Sequence, residues 1–234
     1  MTIQRVQSSW LWAAPFLVGA VVVAKLSFFW VPILHAQGLE PLVAFMLLAP
    51  LFIFFPLILF SACVLWTERP GNGPALLARL WLRRPTRGDW RAGLMAAVIL
   101  VASSAALAWV AGALALPIHP LMIPPLHAIT SQRLWVVALW LFYWPLNILG
   151  EELAWRSVLL PRMEVSIGRH AWALNAALWF CFHLAFGAGN LLVLMPTIAL
   201  VPYVVQRRRN AWLGVFLHAV LSLPGFIAMA IGAV

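Results

Sequence analysis

Apolar residues run along this chain in long blocks, broken by short stretches rich in Arg, Pro and Gly. A helix that crosses a bilayer needs about 20 mostly apolar residues. The blocks predict seven such helices, over Trp10–Ile33, Pro41–Leu65, Ala92–Leu116, Leu134–Leu153, Ala171–Phe186, Leu191–Val205 and Trp212–Val234. Six or eight fit the same pattern once boundaries shift by a few residues. The strands of a membrane barrel alternate apolar and polar positions over about ten residues. These runs do not alternate. The expected fold is therefore all-α: a polytopic membrane helix bundle, one integral domain over residues 1–234.

Composition agrees with the pattern. Of 234 residues, 65% are hydrophobic and only 9% charged, where a soluble domain is about half apolar and about a quarter charged. Mean hydropathy is +0.98. This excludes a soluble enzyme, a disordered chain and a disulfide-stapled secreted module. The net charge of +9 does not point to nucleic acid, because the Arg residues sit in short connections between apolar blocks. Cys63 and Cys181 lie inside apolar blocks and carry neither a disulfide nor a metal expectation.

The distribution of Arg sets an orientation. With the N-terminus in the cytoplasm, the inner segments hold Arg5, then Arg69, Arg79, Arg83, Arg84, Arg87 and Arg91, then Arg162 and Arg169, then Arg207, Arg208 and Arg209. The outer segments hold only Arg133. The C-terminus then lies outside, and the composition fits the cytoplasmic membrane of a bacterium. The apolar block after Arg5 is too long for a signal-peptide core and reads as a retained span. In the longest inner loop, Ala75–Leu82 is expected to form a short interfacial helix, with Arg79, Arg83 and Arg84 toward anionic headgroups. His119 and His127 fall in a Pro-rich outer loop and read as solvated residues.

Ionisable residues inside spans are costly and mark function. Lys25 stands alone in the first span, and no role follows from it. The others lie in residues 134–234, the chemistry-bearing core. Glu151, Glu152 and Arg156 stand in Gly-Glu-Glu-Leu-Ala-Trp-Arg. Residues four apart share a helix face, so Glu152 and Arg156 pair and Glu151 is left free as a general base. His183 and His218 each lie within an apolar run. A rise of about 1.5 Å per residue puts Glu151 near the inner face, His218 about 10 Å above it and His183 about 18 Å above it. The three are expected to share one water-filled site open to the cytoplasm.

Glu-Glu-x-x-x-Arg, an aromatic-x-x-x-His and a third apolar-flanked His, in this order, resemble the CPBP family. This is the CAAX-protease and bacteriocin-processing (Abi) group of intramembrane proteases, which includes the type II CAAX prenyl endopeptidases. The resemblance covers roughly Gly150 to Ser222. It implies that Glu151 activates a water, that Glu152 and Arg156 orient the site, and that His183 and His218 place the water or stabilise the oxyanion. Two positions depart from the pattern. Trp179 opens the second motif where Phe is usual, and Ser222 stands four residues after His218 where Asn serves the oxyanion site. The resemblance implies no obligatory metal. Zinc on Glu151, His183 and His218 is the alternative, although no HExxH spacing is present.

The leading expectation is an endopeptidase acting on a membrane-embedded or lipid-modified peptide near the cytoplasmic interface, with the lipid bilayer as its surroundings. The alternatives are a non-catalytic immunity or assembly protein of the same family and, further off, an ion- or proton-coupled transporter. Substrate identity and oligomeric state are not written in the sequence.

Overall fold

The computed structural model describes residues 10–69, 71, 73–117, 127 and 129–230. Arg5 and His119 lie outside the described residues. The chain is an all-α polytopic membrane bundle, with no strand among the described residues. Helix α1 (Trp10–Lys25) passes through a π-helical turn, Leu26–Trp30, into α2 (Val31–Ala36). Helix α3 (Pro41–Ala49) does the same through Pro50–Phe54 into α4 (Phe55–Glu68). The short α5 (Gly73–Arg79) precedes the long α6 (Arg87–Ala113). Helix α7 (Leu134–Glu151) widens into a π segment, Glu152–Leu159, and continues as α8 (Leu160–Ile167). Then follow α9 (Ala171–Phe182), α10 (Ala188–Arg208) and α11 (Trp212–Ala230). Each π segment ends two residues before a proline: Pro32, Pro56 and Pro161. A proline lacks the N–H of the regular ladder and its ring crowds the preceding turn, and widening that turn accommodates both.

Large apolar side chains stay exposed on the outer helix faces, Val98 at 70%, Val18 and Leu59 at 63%. A surface of that kind is matched to lipid rather than water. Among the described residues, five helical runs are long and apolar enough to cross a membrane, and one of them, Ser131–Phe182, contains the fourth expected span and most of the fifth. The break between those two is at Gly168, with φ +65°. The fifth expected span is corrected to the 12 residues of α9, about 18 Å at the helical rise and too short for a hydrocarbon core of about 30 Å. The seventh expected span is observed as α11, Trp212–Ala230, of 19 residues.

At the end of the bundle carrying the basic connections, the acids claim the arginines. Asp89 caps α6 with Thr86, accepts from Arg83 at 2.6 Å and from Arg208 at 2.8 Å. Glu68 accepts from Arg79 at 2.7 Å and from Arg162 at 2.8 Å. Arg79 and Arg83, expected to face headgroups, instead pair with Glu68 of α4 and with Asp89 of α6, and Arg83 also donates to the Arg208 carbonyl of α10. The expected helix Ala75–Leu82 is observed as Gly73–Arg79. At the opposite end, Glu40 accepts from the His127 backbone N–H at 2.8 Å and pairs with Arg133, while His127 itself is exposed outside any helix, as expected.

Candidate active site

The Glu-Glu motif straddles the change from α7 to the π segment. Gly150 lets this point approach the second π turn: a Cβ there would sit 3.1 Å from Phe54 Cβ. The widened turn is anchored from both sides. Trp155 stacks on Phe16 of α1 with ring centroids 3.9 Å apart. Asn175 of α9 donates to the Trp155 carbonyl at 3.1 Å. These contacts fix α9 against the motif, and α11 closes the third side. Gly214 is required there, because a Cβ on it would run into Glu152 Oε2.

Glu151, Glu152, Arg156, His183 and His218 are all buried, none above 8% exposed. Arg156 is fully enclosed. Its Nη1 lies 3.3 Å from Glu152 Oε1, so the expected pair forms across the π turn. Glu151 does not stay free as expected: its Oε2 accepts from Trp179 Nε1 at 2.7 Å. Trp179 is the centre of the cluster. The Arg156 guanidinium carbon lies 3.6 Å from its ring centroid. The His183 ring packs edge-on to it at 5.3 Å and the His218 ring at 5.7 Å. Sequence reasoning treated Trp179 only as a departure from Phe. The signal that could have found it is chemical: an indole N–H buried beside carboxylates seeks an acceptor.

The two histidines are held in defined tautomers. His183 Nδ1 lies 2.9 Å from the Trp179 carbonyl oxygen. A carbonyl only accepts, so Nδ1 carries the proton, and in the neutral ring Nε2 is an acceptor. His218 Nδ1 lies 3.1 Å from Glu152 Oε1. Against a carboxylate, Nδ1 is again the donor. Glu152 thus bridges Arg156 and His218. Ser222 sits one turn beyond His218. Its hydroxyl donates to the His218 carbonyl at 2.8 Å and accepts from Trp144 Nε1 at 2.8 Å. Its proton is therefore committed to the backbone rather than offered to an oxyanion.

Zinc needs its ligand atoms converging within about 2.0–2.2 Å of one point. Among the described residues, no three His, Cys, Asp or Glu side chains form such a group. The Trp179 indole lies among Glu151, His183 and His218, and as arranged the three do not fit a zinc centre. Cys63 and Cys181 are free thiols.

Residues 133–223 match the family model described as type II CAAX prenyl endopeptidase Rce1-like. The matched segment runs from the start of α7 into α11 and contains every residue of the cluster. The match shows that this part of the chain is similar to the CAAX-protease family, and the spanning helices support an integral membrane protein. No curated protein and no solved structure matches the chain at a significant level.

Proposed function

We propose that this chain is an intramembrane endopeptidase in which Glu151 activates a water to cleave a membrane-associated or lipid-modified peptide near the cytoplasmic face. The observation that carries the reading is the convergence of Glu151, Arg156, His183 and His218 from three helices on the one indole of Trp179. A buried acid, two imidazoles and a cation packed around one indole are expensive as scaffold alone. The matching family is a protease family.

The tautomers give the two histidines different tasks. Neutral His183 offers the Nε2 lone pair, which accepts one O–H of the nucleophilic water. Glu151 takes the other proton as the water oxygen bonds to the scissile carbonyl carbon, and the carbonyl π electrons move onto its oxygen. His218, anchored on Glu152, donates to that oxyanion through Nε2 when it carries a second proton, and the Glu152 carboxylate balances the resulting cation. Collapse re-forms the carbonyl and breaks the C–N bond. The proton held by Glu151 passes to the departing amine, leaving a new carboxyl and a new amino terminus. General acid–base catalysis of this kind is worth about 10²–10⁴ in rate.

The test uses purified protein in liposomes with a pool of internally quenched, lipid-anchored peptides, a prenylated CAAX peptide among them. Wild-type protein cleaves at least one. Glu151→Gln and His183→Ala lose at least about 10²-fold, with the fold retained at the assay temperature. Wild-type rates in both variants refute the reading. The committed hydroxyl of Ser222 favours a second one, a non-catalytic immunity or assembly protein; full rescue of a deletion phenotype by Glu151→Gln would select it.

A further inference from the structure

Trp179 is 2% exposed and meets two opposite charges with two different parts of one ring system. An aromatic ring carries negative potential on its face and positive potential at its edge. The face of Trp179 is turned to the Arg156 guanidinium at 3.6 Å. The edge, through Nε1–H, is turned to Glu151 Oε2 at 2.7 Å. The indole therefore stands between the cation and the base and satisfies both. A phenyl ring at this position would keep the first contact and lose the second.

We propose that Trp179 is a positioning residue that selects which oxygen of Glu151 acts as the base. This rests on the reading of the chain as a glutamate-dependent protease. The charge-assisted bond from Nε1 occupies Oε2 and fixes the carboxylate plane, leaving Oε1 as the oxygen that takes the proton from water. The same residue holds His183: its backbone carbonyl accepts from Nδ1 at 2.9 Å, which turns Nε2 outward as the acceptor for that water. Side chain and main chain of one residue thus orient both groups that grip the nucleophile. The ring is itself immobilised by Arg156, which is held by Glu152, and Glu152 also anchors His218. The second carboxylate of the motif reaches the first through this chain of contacts.

Two replacements remove the N–H and keep the ring over Arg156: Trp179→Phe, and benzothienylalanine at position 179, in which sulfur replaces the N–H within a bicycle of nearly the same shape. With the lipid-anchored peptide that wild type cleaves, both are expected to lower kcat about 10–100-fold, the size of one hydrogen bond to a charged group. KM stays within about twofold, because no substrate contact is removed. The analogue serves if the phenylalanine variant fails to fold. The contact has its own readout in protein labelled with ¹⁵N-indole tryptophan: the indole signal lost in Trp179→Phe is the one expected to move in Glu151→Gln. Wild-type kcat in both ring variants, or a change confined to KM, overturns the proposal, as does an indole signal indifferent to Glu151→Gln. An inert wild type defeats the protease reading itself. An active wild type with a dead Glu151→Gln and a normal Trp179→Phe defeats this inference alone.

Discussion

Replacing Arg156 by Met deletes a charge and keeps most of the volume. Arg156 is 0% exposed, Nη1 is 3.3 Å from Glu152 Oε1, and the guanidinium lies over Trp179 at 3.6 Å. Removing one partner of a buried pair costs about 3–5 kcal/mol, and a desolvated cation–π contact about 2 kcal/mol. Two facts pull the sum down. Nε, Nη1 and Nη2 of Arg156 make no hydrogen bond, so the guanidinium's own desolvation is poorly repaid. Glu152 also keeps the His218 donor. The expected loss is about 3 kcal/mol, which at about 2–4 °C per kcal/mol for a chain of this size lowers the unfolding midpoint by about 6–12 °C. Glu152→Gln strands the cation instead and is expected to cost a similar amount. The double variant is expected to recover about 1–3 kcal/mol of the summed losses. Thermal unfolding of the four proteins in one detergent measures all three quantities. A single variant within about 1 °C of wild type, or a double variant whose losses simply add, refutes the reasoning.

Ser222→Ala removes a hydroxyl already committed to the His218 carbonyl and to Trp144. Its expected effect is about 1 kcal/mol of stability and at most about fivefold in cleavage rate, whereas a drop of about 10²–10³-fold would assign Ser222 to the oxyanion. Gly214→Ala drives a methyl group toward Glu152 Oε2 and to 3.1 Å from Val205 Cγ2. It is expected to cost about 1–3 kcal/mol and at least tenfold (about 1.4 kcal/mol of barrier) in rate. Wild-type values for both in unfolding and cleavage assays contradict the proposed packing of α11 on the motif.

The all-α membrane fold was legible because lipid removes the need for a polar outer face, so each spanning helix leaves a long apolar block. The pairing of Glu152 with Arg156 was legible because spacing on one helix survives into the tertiary structure. Spacing does not report how a helix ends, and α9 ends at His183 after 12 residues; straight-rise arithmetic set His183 about 8 Å above His218, while both rings in fact touch Trp179. The π segments were hidden by the assumption of regular helices, although Pro32, Pro56 and Pro161 were in plain view. The fate of the arginines was misjudged because charge counting considered Arg79 and Arg83 without their acids, Glu68 and Asp89. The partner of Glu151 was missed because Trp179 was weighed as a missing Phe rather than as a donor.

The claim on which the rest stands is that Glu151 moves a proton and the bond to the substrate carbon is made by water. It is tested most directly by a first turnover in H₂¹⁸O, with protein in excess over a cleavable lipid-anchored peptide and both product and protein read by mass spectrometry. The mechanism requires one ¹⁸O in the new carboxyl group of the product and none in the peptide containing Glu151. An unlabelled product, with the heavy oxygen on Glu151, would mean that the carboxylate attacks the substrate itself and would contradict the account.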